Sequence, residues 1–214
     1  MRMLWKSVDY LKLNLQSPPG YQLDHLHPDE VDGLIANLES WFPEMKVSGE
    51  RCHLTREFYE TKCQLKGQDE DRRIFPVVVK KDGKIVSMTT VEKDRDDLTV
   101  TARLGVVDPA HRGLGLGRLG PGAVETMGRG AGAELAYFFT TLRIPQEQIL
   151  SEKCGFTLVG ILPSSDREIQ ADGKIRRVPE AIYAKDLTGH GLFHAEGLSL
   201  TDKTKSLWSF LQKQ

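Results

Sequence analysis

The residues with the clearest chemical potential are a run of glycines set between arginines, Arg112-Gly113-Leu114-Gly115-Leu116-Gly117-Arg118, directly after Val106-Val107 and the turn Asp108-Pro109. Without a Cβ, Gly113, Gly115 and Gly117 can take backbone angles closed to other residues and bring several N–H groups onto one anion. A helix after such a loop adds the positive end of its dipole, so the chemistry implied is phosphate binding. A Walker loop is excluded, because it requires Lys-Ser/Thr after its last glycine and Gly117 is followed by Arg118-Leu119. The dinucleotide fingerprint matches Gly115-Leu116-Gly117-Arg118-Leu119-Gly120 by letter. It ranks second, because what precedes it reads as hairpins, not as a crossover unit.

The elements that must position this loop can be read on either side of it. Residues 74–79 and 84–91 are β-rich and flank Asp82-Gly83, a two-residue hairpin turn. A third strand, 98–107, follows the acidic turn 94–97 and delivers the chain to the glycines. Thr99, Thr101 and Arg103 alternate there with Val100, Ala102 and Leu104, which predicts one polar and one apolar face. A helix is expected over 118–133, starting near Leu119 or kinked, since Pro121 fits only a first turn and Gly122, Gly128 and Gly130 loosen it. Then come a strand over 134–141, a helix over 145–153 ended by Gly155, a strand over 156–162, a polar connection over 163–176 and a last strand over 178–187. Upstream, 21–26 reads as a strand, 28–42 as a helix stopped by Pro43, and 54–65 as a second helix. The expected organisation is an N-terminal arm and linker over 1–20, one domain over 21–187, and an extension over 188–214 carrying a short apolar-faced helix capped by Thr201.

Bulk properties narrow the function classes. The formal net charge of −1 gives no global attraction to nucleic acid or anionic membranes. With 39% hydrophobic and 28% charged residues among 214, a globular core is expected and disorder is not. The start meets Lys6 and Asp9 before any long apolar run, so neither a secretory signal nor a membrane span is expected, and the cytoplasm is the expected location. Cys52, Cys63 and Cys154 lack metal-ligand spacing, and His25, His27 and His53 join no carboxylate in a ligand pattern, so no metal is expected.

Two motifs in order carry a family resemblance. Val107-Asp108-Pro109 with Arg112-Gly113-Leu114-Gly115-Leu116-Gly117 resembles the acyl-CoA loop of the GCN5-related N-acetyltransferase (GNAT) superfamily, and Ser151-Glu152-Lys153-Cys154-Gly155-Phe156 resembles its Tyr-Glu-Lys-x-Gly-Phe segment. The resemblance covers roughly residues 72–187. It implies an α/β fold with a mixed, mostly antiparallel sheet, splayed at the cofactor site and flanked by helices on both faces. It also implies acetyl-CoA or another acyl-CoA as cosubstrate, held by Val106, Val107, Arg112, Gly113, Leu114, Gly115, Leu116, Gly117 and Arg118. A bulged N–H near Val106 or Val107 would stabilise the oxyanion of direct attack by an amine of a small molecule or protein.

The sequence departs from the family where proton transfer is usual. Arg103 stands where a carboxylate base is frequent and cannot act as one; Ser151 stands where a tyrosine acid is usual and could at most bind a thiolate or order a water. Arg103 would either grip an anionic group of acceptor or acyl chain or pair with a neighbouring acid. Glu180 and Tyr183 would be acceptor contacts, or else a rim charge and a core aromatic. Three activities stay open: amine acetylation, acyl-CoA decarboxylation or loading with a carrier protein, and acyl-CoA binding without turnover. A homodimer is compatible with each.

Overall fold

The computed structural model describes residues 3–194 and 196–213. Seven strands form one sheet in the order β1-β2-β3-β4-β5-β7-β6: β1 (Gln22–His25), β2 (Ile74–Lys81), β3 (Lys84–Asp94), β4 (Thr99–Val107), β5 (Leu135–Thr141), β6 (Thr157–Ile169) and β7 (Ile175–Asp186). Every pairing is antiparallel except β4 with β5. Parallel neighbours need a crossover, and α4 (Leu119–Ala131) supplies it. The remaining helices are α1 (Val8–Asn14), α2 (Val31–Trp41), α3 (Arg56–Lys62), α5 (Pro145–Lys153) and α6 (Asp202–Leu211). Among the described residues no helix is long and apolar enough to cross a membrane.

Alternation along the strands divides the interior into two cores. Phe75, Val77 and Val79 of β2 pack with Val100, Ala102 and the apolar positions of α4. Ile74 and Val78 point the other way, onto Leu34, Leu38, Phe58 and Tyr59 of α2 and α3. Asp82 and Gly83 take φ of 50° and 75°, the left-handed pair that a two-residue hairpin requires.

In β4 the simple alternation fails at one residue. Thr90 of β3 faces Leu104 and Val91 faces Ala102, which makes Arg103 the extra residue of a β-bulge. Leu104 was expected to share a face with Val100 and Ala102. The inserted residue turns it over, and Leu104 and Val106 pack in the second core while Val100 and Ala102 stay in the first. The bulge lies at Arg103 and not at Val106 or Val107.

The glycines of α4 are contact positions. A Cβ at Gly128 would lie 2.6 Å from Val100 and 2.9 Å from Leu187, one at Gly122 would lie 2.7 Å from Leu15, and one at Gly130 would lie 2.6 Å from Tyr10. Their absence lets α4 approach both the sheet and α1, and Pro121 falls in the first turn, where it breaks nothing. Residues 3–11 of the segment expected as an arm and linker therefore pack on the core. Met3, Trp5 and Leu11 are buried in the first cluster, and the Trp5 indole N–H donates to the Arg72 carbonyl at 2.8 Å.

The expected connection over 163–176 is also strand: β6 and β7 continue through it as a hairpin, with a register shift between Leu162 and Asp166. Its side chains are polar or exposed on both faces, so no period of two marks it in the sequence. In the tail, the Thr201 hydroxyl caps α6 by accepting from the Thr204 N–H, and Leu211 is buried.

Candidate active site

β4 and β5 pair only from Thr99–Ala102 against Leu135–Phe138. Beyond that point the bulge bends β4 away, and the two strands open a cleft of about 430 Å³. Its walls include Arg103, Val106 and Val107 from β4, Phe138 and Phe139 from β5, and Gln146, Glu147 and Leu150 from α5. A more open groove of about 580 Å³ between α2 and the β2–β3 hairpin shares only His111 with it and lacks both the diverging strands and the glycine loop.

The glycine loop forms the mouth. Gly113 and Gly115 take φ of 77° and 83°, where a side chain would be strained. Among the described residues, the N–H groups of Gly113, Leu114 and Gly115 meet no hydrogen-bond acceptor of the protein, and all three residues are exposed. Exposed donors preset at the start of a helix suit an anion. Val106, Val107, Arg112, Gly113, Leu116 and Gly117 line the cleft, and Leu114, Gly115 and Arg118 are not among its walls. The Arg112 guanidinium stacks 4.9 Å from the Phe42 ring centre and its Nε donates to the Val107 carbonyl at 3.3 Å.

Arg103 reaches the cleft already paired. It donates to Glu92 at 3.1 Å and to Glu50 at 3.4 Å, so two protein carboxylates take the place expected for an anionic ligand. Burial opposes the charge on Glu50, but His53 and Arg103 overcome it and hold that carboxyl below its usual range. His53 is fully buried, with Nδ1 3.0 Å from the Glu50 carbonyl and Nε2 3.1 Å from the Thr90 hydroxyl. Glu50, Cys52 and His53 offer potential metal-ligand atoms within 4.8 Å of one another. His25 stacks on Phe75 at 4.1 Å, and His27 caps the turn before α2.

Two residues expected in the site point elsewhere. Ser151 is fully buried, donates its hydroxyl to the Glu147 carbonyl of its own helix at 3.0 Å, and does not line the cleft. Tyr183 is 1% exposed in the first core and donates to Glu152 at 2.9 Å; burial first and then that carboxylate push its phenol up to about 12. Three residues along β7, Glu180 projects from the opposite face, as the strand's period requires. It is half-buried near Ser165, and burial, then Asp166, Glu50 and Glu147, raise its carboxyl against that hydroxyl's pull. The Gly49 N–H donates to Asp166 at 2.8 Å and so ties the turn before α3 to the β6–β7 hairpin beside Glu180.

Glu147 is the residue that reading by motif passes over. It sits in the first turn of α5, four residues before Ser151 and therefore on the same helix face, which is the one sequence signal that marks it. Burial pushes its carboxyl above the usual range, and only the Thr141 backbone N–H counters that shift.

Comparisons with known proteins agree with this architecture. Solved structures similar to the chain include a spermidine N-acetyltransferase chimera from Vibrio cholerae, at 16% identity over 79% of this chain and 96% of that one with a TM-score of 0.60. The ribosomal-protein-S18-alanine N-acetyltransferase of Escherichia coli matches at 16% identity over 84% and 99%, with a TM-score of 0.57. An IAA acetyltransferase from Bacillus cereus matches at 18% identity over 78% and 99%, with a TM-score of 0.54. At such identities the likeness shows a shared fold. No curated protein sequence matches significantly. The acetyltransferase (GNAT) family profile matches residues 35–156, more than half of the chain, around the diverging strands and the glycine loop, and the protein belongs to that family.

Proposed function

We propose that the protein transfers an acetyl group from acetyl-CoA to an amine by direct attack, without a covalent enzyme intermediate. The observation that carries this reading is the separation of β4 from β5 after Ala102 and Phe138, with the glycine loop at the open end. The loop N–H groups and the α4 N-terminus would hold the diphosphate, and the pantetheine arm would lie along the unpaired edge of β4 toward the vertex. Backbone N–H groups on that edge, freed of a β5 partner, would meet the oxyanion. Val106, Val107, Arg112, Gly113, Leu116 and Gly117 would contact the cofactor along the cleft, with the Leu114 and Gly115 N–H groups and Arg118 at the phosphate end of the loop.

The acceptor would enter beside the contact between the turn that carries Glu50 and the β6–β7 hairpin. Both spermidine and a ribosomal-protein alanine appear as acceptors in the names of the similar structures, so small-molecule and protein amines are both within the fold's reach. The acidic groups at this entrance, Asp166 and Glu180, suit a cationic amine. Decarboxylation had rested on Arg103 gripping a malonyl carboxylate, and Glu50 and Glu92 already hold that guanidinium.

Thiol release measured with acetyl-CoA and malonyl-CoA against a panel of amines tests the reading. Release from acetyl-CoA that depends on an amine is expected. Carbon dioxide from malonyl-CoA, or acetyl-CoA binding without release, would overturn it in favour of a decarboxylase or a binding module.

A further inference from the structure

With arginine at the usual base position and a buried serine at the usual acid position, the cleft needs another group to move the amine's proton. Among the residues lining it, Glu147 is the one carboxylate. Glu50 and Glu92, beside the cleft, are committed to Arg103, and His111 has Nδ1 2.9 Å from the Tyr21 hydroxyl. Glu147 forms no ion pair among the described residues, and its own helix presents it to the space between the strands. One turn after it, Ser151 is too short to enter and turns its hydroxyl back onto the Glu147 carbonyl.

We infer that Glu147 is the proton-transfer residue of the acetyl transfer, accepting the proton from the amine and passing it to the departing sulfur. This rests on the acetyltransferase reading above. The neutral amine nitrogen attacks the thioester carbonyl, the C–N bond forms, and the carbonyl π pair moves to oxygen. The pair returns as the C–S bond breaks, leaving its electrons on sulfur. The amine proton goes to the Glu147 carboxylate and from there to the thiolate, so Glu147 ends as it began and coenzyme A leaves as the thiol. One carboxyl would thus do what the family usually divides between two positions. The Thr141 backbone N–H favours its charged form, Glu180 on the neighbouring β7 is raised in part by its charge, and Arg103 on the opposite wall is neutralised by its own partners. A carboxyl held above the usual range by burial is better matched to accepting and returning a proton near neutrality than an ordinary one.

The test compares wild type, Glu147→Gln and Glu147→Ala by calorimetry with acetyl-CoA and by thiol release with acetyl-CoA and a set of primary amines: a diamine, a lysine peptide and a peptide with N-terminal alanine. Glu147→Gln should keep acetyl-CoA affinity within about threefold and lose roughly 100-fold or more in kcat, the scale of a missing general acid–base group. The acidic limb of the pH profile of kcat/KM should vanish with it. Added formate should restore part of the activity of Glu147→Ala, which a purely structural role would not allow. A Glu147→Gln protein that keeps kcat within threefold and retains its acidic limb would overturn the assignment alone. Wild type that neither binds acetyl-CoA nor releases thiol would overturn it together with the acetyltransferase reading.

Discussion

A cation placed in a reaction cleft is informative only once its partners are known. Arg103 is the bulged residue of β4 and its side chain is 29% exposed, yet Glu50 and Glu92 both hold it. It serves as a clamp between β3, β4 and the turn before α3, and it does not recruit acids. Arg103→Met should therefore lower stability by about 1–3 kcal/mol, less than a fully buried pair because of the exposure, through two carboxylates left facing each other. Urea unfolding checks this, and any retained preference for acidic over neutral substrates should be the same in both proteins. Glu147 gives the opposite sign. Its folded carboxyl is raised above the reference value of 4.5, so its burial costs nothing while both states are protonated and costs increasingly as pH rises through the folded value. Glu147→Gln should match wild type in melting temperature below pH 4.5 and exceed it at pH 8; equal melting temperatures at pH 8 would show that the carboxyl carries no burial cost.

Helix α4 shows why glycine content misleads when a single element is considered. By propensity, Gly128 weakens a helix by about 1 kcal/mol relative to alanine, and replacing it should help. Its added Cβ would lie 2.6 Å from Val100, so Gly128→Ala should destabilise by roughly 1–3 kcal/mol. Gly33 in α2 is the matched control: a Cβ there meets nothing within 4 Å, and Gly33→Ala should stabilise by about 0.5–1 kcal/mol. Denaturant midpoints of the two variants should move in opposite directions. Movement in the same direction would mean that propensity, and not the close approach of Val100 and Leu187, sets the cost at Gly128.

At the scale of the whole molecule, the cleft exists because one sheet is pulled in two directions. β4 is fixed to β3 along its length, β5 is fixed to β7, and they share only four residue pairs before the bulge separates them. A cosubstrate that bridges the gap should stabilise the whole fold. At a concentration 100 times its Kd, acetyl-CoA should add about 2.7 kcal/mol, visible as a melting shift of several degrees. Gly115→Asp, which sets a carboxylate at the phosphate loop where φ is 83°, should abolish the shift, and an unchanged shift would place the cosubstrate elsewhere. The sequence alone determined the glycine loop, the Asp82-Gly83 hairpin, the Pro145–Lys153 helix and the family, because each rests on local backbone geometry or on a motif contiguous in the chain. Only the tertiary structure decided the partners of Arg103, the burial of Ser151 and Tyr183, the docking of residues 3–11 and the exposure of Glu147 to the cleft. These depend on a one-residue bulge and on contacts between segments far apart in sequence, such as Glu50 with Arg103 and Tyr10 with Gly130, which no local periodicity encodes.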